Sequence, residues 1–288
     1  MDFPYSKEVS DHLELILSSP QHAYLLYGSK GVGKRLAALK IAAGLIKESK
    51  ILSVQNFAHP NLIQVQLVEG KKAISILQIR ELTERIWRTS FDPSLPKVVI
   101  IEYFDSASVE ASNALLKNLE DTPPQTIFLL IADSLELVLP TIRSRSELVF
   151  FSQPPQDIVL EYFNDQYSLD DHEMEDIIHV AHGLPSVIEE LINSEEKLKK
   201  IKKIQTMAEK FVNANITERF LIAQEVHIQK VTTEFLTELI YATREQSTIL
   251  VEGERGIADL EKIMQAETQF ASNVNTRSLI ENLALQLT

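Results

Sequence analysis

The chain has 288 residues, 44% of them hydrophobic and 24% charged, and its net charge is −13. The length predicts about two domains, and the composition is that of a folded globular protein rather than a disordered one. The sequence contains no cysteine, which excludes disulfides, thiolate nucleophiles and zinc sites with cysteine ligands. No apolar run reaches the roughly 18–20 residues of a membrane span, and residues 1–10 lack the features of a signal peptide. We therefore expect a soluble cytoplasmic protein with no membrane partner.

Charge and proline are unevenly distributed along the chain. Residues 1–150 carry a net charge of −1, whereas residues 151–288 carry −12. The negative total argues against DNA binding by the chain as a whole. All 11 prolines lie at or before Pro185, which leaves the last 103 residues without one. Because proline breaks helix interiors, this last stretch is predicted to be helical.

Short apolar runs alternate with helical patterns in the first half of the chain. Strands are predicted at His22–Tyr27, Leu62–Val68, Lys97–Glu102, Thr126–Ile131 and Glu147–Phe151. Helices are predicted between them at Lys34–Ile46, Ile74–Trp87 and Ser108–Leu119. The alternation predicts an α/β fold with a mainly parallel sheet that is covered by helices on both faces.

The pattern changes after Pro154-Pro155. Three short helices are predicted at Asp157–Phe163, Asp171–Ala181 and Pro185–Asn193. Longer helices follow from Glu195, with breaks near Asn213–Thr217 and Gly253–Gly256. We therefore predict an α/β domain at residues 1–153, a small helical domain at 154–203 and a helical C-terminal domain at 204–288.

A glycine-rich segment, Gly28-Ser29-Lys30-Gly31-Val32-Gly33-Lys34-Arg35, follows the first predicted strand and opens the first helix. This context is typical of a phosphate-binding loop, in which backbone N–H groups at Gly28, Gly31 and Gly33 converge on phosphate oxygens and Lys34 reaches the terminal phosphates. The usual motif continues with Ser or Thr, whose hydroxyl binds Mg²⁺, but here Arg35 stands at that position. The segment indicates a phosphate-loop ancestry and leaves open whether nucleotide still binds.

Two further groups of charged residues have alternative interpretations. Glu102 follows the apolar run KVVII, where a phosphate-loop ATPase places a carboxylate that orients Mg²⁺; Tyr103 occupies the next position, that of the general base, and is a poor base at neutral pH. Arg143 and Arg145 are either solvated surface charges or residues offered to a neighbouring subunit's γ-phosphate. The lysine-rich run at 195–203 is either a solvated face, a seam between helices or a phosphate contact.

Six segments occur in one order, namely HAYLLYGSKGVGK, AHPNLIQV, ILQIRELTERI, KVVIIE, ASNALLKNLEDTPPQTIFLL and LPTIRSRS. Over about residues 20–152 the sequence resembles the bacterial clamp-loader branch of the AAA+ proteins. The resemblance implies an AAA+ P-loop domain, a three-helix lid and a helical collar. It also implies a ring of five subunits, in which ATPase subunits and a delta subunit are partners and which loads a sliding clamp onto primer-template DNA. Arg145, in Ser144-Arg145-Ser146, corresponds to the family's arginine finger, which completes the site of a neighbouring ATPase.

The sequence also departs from the ATP-hydrolysing members of this branch. Arg35 and Tyr103 replace two ATPase residues, Ala132 stands near the usual polar sensor, and the lid segment at 183–187 lacks an arginine. The short segment Lys47–Ala58, in a chain without cysteine, leaves no place for the zinc module of many relatives, so we expect no zinc and no other metal. The departures imply a non-hydrolysing subunit of the replicative polymerase holoenzyme that requires no cofactor, with ATP or ADP binding left open. The alternative is an autonomous AAA+ ATPase that acts on DNA or protein and uses Lys34 and Glu102.

Overall fold

A computed structural model describes residues 3–48, 59–88, 92–249, 253–271 and 275–287. Five strands form one sheet: β1 Ala23–Tyr27, β2 Leu62–Val65, β3 Lys97–Ile101, β4 Thr126–Ala132 and β5 Glu147–Phe150. They lie in the order β2-β3-β4-β1-β5, and every neighbouring pair is parallel. All five predicted strands are confirmed, although β2 ends three residues earlier than predicted.

The sheet is buried on both faces. Alternate residues of each strand point to opposite faces, and they enter two separate apolar clusters: Leu26 and Ile100 belong to the first, Leu25 and Val99 to the second. The first cluster includes side chains of α1 (Lys7–Ser18) and α2 (Lys34–Ile46), and the second includes those of α3 (Ile76–Trp87) and α4 (Val109–Glu120). The predicted α/β architecture, with helices on both faces of a parallel sheet, is therefore confirmed.

The predicted helices are present, and the structure adds elements that the sequence analysis did not predict. Helix α2 has the predicted bounds, whereas α3 begins two residues later than predicted, after Ser75 and Gln78 close a capping box. Helix α1 was not predicted, although Val9, Leu13 and Ile16 follow helical spacing; only Val9 and Ile16 are fully buried along it. A 3₁₀ turn at Phe104–Ser106 and the four-residue helix α5 (Pro140–Arg143) are also additional.

The three short helices after the sheet are confirmed. They are α6 Gln156–Gln166, α7 Asp171–Val180 and α8 Pro185–Ile192. Buried side chains of α6 and α7 include Val159, Phe163, Met174 and Ile177.

Five longer helices follow: α9 Glu195–Asn213, α10 Ile216–Gln229, α11 Thr232–Ile249, α12 Gly253–Ala271 and α13 Thr276–Gln286. The predicted break near Asn213–Thr217 is confirmed, and Asn215 caps α10 there through a capping box with Glu218. Around the predicted break at Gly253–Gly256, α12 begins at Gly253 and includes Gly256. A further break at Lys230, which has a positive φ of 55°, was not predicted.

The lysine run on α9 lies partly at a seam between helices. Lys200 pairs with Glu234 of α11 at 2.8 Å, and Lys203 pairs with Glu225 of α10 at 3.0 Å. Lys199 pairs with Glu195 within α9. Carboxylates of the chain itself therefore neutralise these lysines, which favours the seam over the phosphate contact.

The chain divides into two compact units, Met1–Ile188 and Glu189–Thr288. The predicted domain boundaries at residues 153 and 203 stay predictions. Most of the segment Lys47–Ala58, at residues 49–58, lies outside the described residues. In the parts of the chain that the structure describes, no helix has the length and apolar character needed to cross a membrane.

Candidate functional site

The glycine-rich loop connects β1 to α2 at the carboxyl edge of the sheet. Gly28, Gly31 and Gly33 all have positive φ, between 90° and 141°. At Gly28 a side chain is also excluded by space, because a Cβ there would lie 2.3 Å from the carbonyl oxygen of Phe151. Glycine adopts these positive φ angles without strain, and the loop has the position expected of a phosphate loop.

Lys34 is the first residue of α2, and its side chain is only 5% exposed. Its Nζ donates to the carbonyl oxygens of Gly28 at 2.5 Å and Ser29 at 2.7 Å, and pairs with Asp133 Oδ1 at 2.8 Å. An ammonium group has three N–H donors. All three have partners within the chain, so the residue that would reach a phosphate is already saturated.

Arg35 and Glu102 form an ion pair at the same edge of the sheet. Glu102 lies directly after β3 and its side chain is 8% exposed; its Oε1 accepts from Arg35 Nε at 2.9 Å and from Gln66 Nε2 at 2.7 Å. Mg²⁺ requires oxygen ligands in a near-octahedral arrangement. Arg35 supplies no oxygen and places a positive charge against the carboxylate, so these residues do not fit a magnesium ion.

The N-terminal segment covers the α2 end of the loop. A Cβ on Gly33 would come within 2.3 Å of the buried ring of Phe3, so only glycine leaves room for that ring. The Tyr5 hydroxyl donates to the carbonyl oxygen of Gly33 at 3.1 Å. Burial is the main cause that raises the pKa of the Tyr5 hydroxyl, and the nearby Tyr162 is the second. Residues before α1 therefore pack on the loop through apolar and hydrogen-bonding contacts.

The lid side of the loop is covered as well. Ser186 at the start of α8 donates its backbone N–H to the carbonyl oxygen of Gly31 at 3.0 Å. Side chains of Leu184 and Val187 come within 3.1–3.2 Å of the position of a Cβ on Gly31. The segment at 183–187 thus contacts the loop through apolar side chains and backbone.

Two further positions that the sequence analysis singled out, Ala132 and Tyr103, also lie at this edge of the sheet. Ala132 ends β4 and is 1% exposed, and Asp133 follows it directly. Tyr103 has the left-handed conformation at a φ of 54° and is 43% exposed. Its backbone carbonyl accepts from the N–H and hydroxyl of Ser106. The Tyr103 side chain thus projects from a tight turn, and it offers no carboxylate to activate water.

Arg145 lies at the opposite edge of the sheet, two residues before β5. Its Nη2 is 2.6 Å from Glu120 Oε1, and its Nη1 donates to the carbonyl oxygen of Thr141 at 3.2 Å. The side chain of Arg145 is 37% exposed and that of Glu120 is 52% exposed. Because β1 and β5 are parallel, roughly 13 Å of strand separates Arg145 from the edge that carries the loop.

The structure brings Gly28, Gly31, Gly33, Lys34 and Glu102 to one edge of the sheet and leaves Arg145 at the other. Sequence reasoning missed three groups of partners: Asp133 and Gln66 at the loop edge, Phe3 and Tyr5 over the loop, and Glu120 beside Arg145. Asp133 closely follows the strand predicted at Thr126–Ile131, so the rule that parallel strands converge at their carboxyl ends was a usable signal for it. Gln66 lies within the strand predicted at Leu62–Val68, and the earlier end of β2 places it at the edge. No sequence signal pointed to the others.

Arg143, the neighbour of Arg145 in the sequence, behaves differently. Within the described ranges its side chain makes no hydrogen bond or ion pair, although its backbone N–H donates to the carbonyl oxygen of Leu139 at 3.1 Å. Its charge is one of the causes that lower the pKa of Glu136, after hydrogen bonds to that carboxylate from its own backbone and from Ser134. The two arginines are therefore distinct in their contacts, which their spacing did not reveal.

The strand order, the glycine loop between β1 and α2 and the short helices after β5 define an AAA+ P-loop fold. A crystal structure of a DNA polymerase III gamma subunit-related protein from Thermotoga maritima has the same fold, with a TM-score of 0.62 and 18% identity, over 97% of this chain and 98% of that one. The family model described as DNA polymerase III, delta subunit matches residues 6–155. The chain therefore belongs to that family.

Individual relatives are also named as subunits of DNA polymerase III. The chain is 36% identical to the DNA polymerase III subunit delta' of Pseudomonas aeruginosa over 137 residues, which are 43% of this chain and 41% of that protein. It is 26% identical to the subunit delta' of Bacillus subtilis over 92% of this chain and 90% of that protein. The match to the Pseudomonas protein thus spans about two fifths of its length.

Proposed function

We propose that the chain is a delta prime-like subunit of a replicative clamp loader that does not hydrolyse ATP and that offers Arg145 to the site of a neighbouring ATPase subunit. Family membership and the relatives named as DNA polymerase III subunit delta' support the clamp-loader role. One observation carries the non-hydrolysing part. Of the three cations of the loop, Lys34 and Arg35 are paired with carboxylates of the chain itself.

The Lys34–Asp133 pair opposes nucleotide binding. A phosphate placed on the loop would compete with a carboxylate for the same ammonium group, and the two anions would repel each other. Asp133 is held in place from behind, because the Asp105 carboxylate accepts from the backbone N–H groups of Asp133 and Ser134 at 2.9 and 3.0 Å. Binding of a nucleotide therefore requires the loop to give up contacts that it already has.

The Arg35–Glu102 pair opposes metal binding at the same place. In phosphate-loop ATPases the corresponding carboxylate and a hydroxyl hold Mg²⁺, which neutralises charge in the transition state. Here a guanidinium group takes the place of both the hydroxyl and the cation. Tyr103 adds the loss of a general base, so hydrolysis on this chain lacks a metal site and a base together.

Arg145 has the opposite character. It lies at the amino edge of the sheet, away from the loop of its own chain, and only two of its five N–H donors are bonded within the described residues. A guanidinium group with free donors stabilises the charge of a transferring phosphoryl group when a neighbouring subunit places it there. This supports action in trans rather than in cis.

The partners follow from this role. We propose that the chain assembles with ATPase subunits and a delta subunit in a five-membered ring, and that sliding clamp and primer-template DNA are bound by the assembly. The charge of −13 gives the isolated chain no tendency to bind DNA. Residues 1–150 are nearly neutral and therefore repel DNA least, so this is the part of the chain that we expect to lie near DNA in a ring.

The pure chain provides the first test. We expect no steady ATP turnover and no measurable ATP binding by calorimetry, with the Lys34→Ala variant behaving like the wild type. Turnover by the wild type that is lost in Lys34→Ala contradicts the proposal and favours an autonomous AAA+ ATPase that uses Lys34 and Glu102.

The reconstituted clamp loader provides the second test. With ATPase and delta subunits from the same organism, we expect Arg145→Ala to lower the clamp- and DNA-stimulated ATP turnover on the order of 10³-fold. Arg143→Ala is the matched control, since it removes an arginine two residues away, and it should keep the wild-type rate. A wild-type rate in Arg145→Ala refutes the action in trans.

A further inference from the structure

We propose that Glu120 is a positioning residue for Arg145: it holds the guanidinium group in place so that the remaining N–H donors face a neighbouring subunit's phosphate. This inference rests on the proposed action of Arg145 in trans. It adds a residue that lies 25 positions earlier in the sequence, at the last position of α4.

The backbone that carries Arg145 is rigidly built. The Arg145 N–H bonds to the carbonyl oxygen of Ile142 at 3.0 Å, and the hydroxyls of Ser144 and Ser146 bond to carbonyl oxygens of α5 at 3.1 Å each. The two serines thus fasten the turn on both sides of the arginine. The long side chain is the part that still has freedom, and arginine loses much rotamer entropy when it is ordered.

Glu120 and the Thr141 carbonyl oxygen remove that freedom. They take one hydrogen each from Nη2 and Nη1, at 2.6 and 3.2 Å. One hydrogen on each terminal nitrogen and the Nε–H are left without a partner in the described part of the chain. The guanidinium group is therefore held by two bonds and still presents three donors.

The Arg145–Glu120 ion pair contributes too little to the stability of the fold to have a mainly structural role. Both side chains are substantially exposed, at 37% and 52%, and exposed ion pairs add little to stability because water screens them. Glu120 also lies at the C-terminal end of α4, where a negative charge is unfavourable to the helix dipole. Its contribution is therefore orientation, which lowers the entropy that is lost when the arginine engages a phosphate.

The chain supplies a matched control. Glu136 is a carboxylate in the same part of the fold, and it accepts a hydrogen bond from the Ser134 hydroxyl at 2.9 Å. The positive charge that acts on it is that of Arg143. Glu136→Gln removes one negative charge near an arginine without touching Arg145. An effect of overall charge should appear in both glutamate variants, and an effect of positioning only at Glu120.

The experiment measures ATP turnover of the reconstituted clamp loader with saturating clamp and primed DNA. We expect Glu120→Ala to lower kcat about three- to tenfold at an unchanged KM for ATP, because a part of the orientation of Arg145 is lost. Glu120→Gln keeps an acceptor oxygen and should lose less. Glu136→Gln should match the wild type, and Glu120→Ala in an Arg145→Ala background should cause no further loss.

The outcomes separate the two proposals. If Arg145→Ala has the wild-type rate, the action in trans fails and the role of Glu120 fails with it. If Arg145→Ala is impaired, the role of Glu120 alone is refuted by any of three results: a wild-type or faster rate in Glu120→Ala, an equal loss in Glu136→Gln, or a loss in Glu120→Ala that adds fully to that of Arg145→Ala.

Discussion

The two edges of the parallel sheet carry the two groups of candidate functional residues, and they differ in how their charges are satisfied. At the carboxyl edge, Lys34 and Arg35 are bonded to carboxylates of the chain. At the amino edge, Arg145 keeps three N–H donors free within the described residues. Charges that are paired within the chain contribute to folding, whereas a partly paired charge at the surface can also bind another molecule. Substitutions at the first edge should therefore change stability, and those at the second should change activity.

The largest expected loss of stability concerns the loop backbone. Gly28→Ala places a Cβ 2.3 Å from the carbonyl oxygen of Phe151 at a φ of 141°, and we expect a cost of more than about 3 kcal/mol. Gly70→Ala is the control, because Gly70 also has a positive φ, 76°, but no atom within 4 Å of a Cβ. It should cost about 1–2 kcal/mol. Urea unfolding followed by fluorescence of Trp87, the single tryptophan, measures both, and equal costs would contradict a loop locked by packing.

The next effect concerns Lys34, whose ammonium group is bonded within the chain. Lys34→Met keeps the apolar stem but leaves two carbonyl oxygens and Asp133 without their donor, so we expect a loss of about 2 kcal/mol in the free energy of unfolding. The ATP turnover of the reconstituted clamp loader should stay at the wild-type rate once the variant is folded. A folded variant with reduced turnover would show that the loop takes part in the reaction. Substitutions at the carboxyl edge would then change activity as well as stability, contrary to the comparison above.

A smaller effect compares the two arginine–carboxylate pairs directly. Glu102→Ala removes a buried carboxylate and should cost about 1–3 kcal/mol, because Arg35 and Gln66 both lose a partner. Glu120→Ala removes an exposed one and should cost less than about 1 kcal/mol. The measurement is again urea unfolding. A larger cost at Glu120 would make that pair structural and reverse the comparison.

The smallest effect is a dependence on pH from Tyr5. Burial raises the pKa of its hydroxyl in the folded chain, whereas the unfolded chain ionises near pH 10. Above that pH the unfolded state therefore binds fewer protons than the folded state, and stability falls as the pH rises. Tyr5→Phe should make this fall shallower and cost up to about 1 kcal/mol at neutral pH through the lost bond to Gly33. Tyr103→Phe, at an exposed tyrosine, is the control and should change neither quantity.

Much of the fold was predictable because its strands and helices carry strong local patterns. β3 and β4 are continuous apolar runs, as expected of strands buried on both faces, and α2 has the predicted bounds. Helix α1 and the break at Lys230 were not predictable in this way. The first has helical spacing at Val9, Leu13 and Ile16 that the sequence analysis did not use, and the second depends on one residue with a positive φ in a chain of helix-forming residues.

The residues of the candidate site likewise divide into those that the sequence predicted and those that it did not. Gly28, Gly31, Gly33, Lys34 and Arg145 carry motif or family signals, so sequence reasoning found them. Their partners Asp133 and Glu120 lie 99 and 25 positions away from Lys34 and Arg145. Each pair depends on where two elements end in space, and hydrogen-bond partners across such separations leave no local pattern.

The sequence by itself determined the class of fold, the place of the loop and the presence of Arg35 after Lys34 and of Tyr103 after Glu102, because these depend on residue type and on short spacing. Only the tertiary structure decided that Lys34 and Arg35 pair with Asp133 and Glu102 and that Arg145 lies at the other edge with Glu120 beside it. Ion pairs act over a few ångströms, and only the folded chain brings residues that are far apart in sequence to that distance.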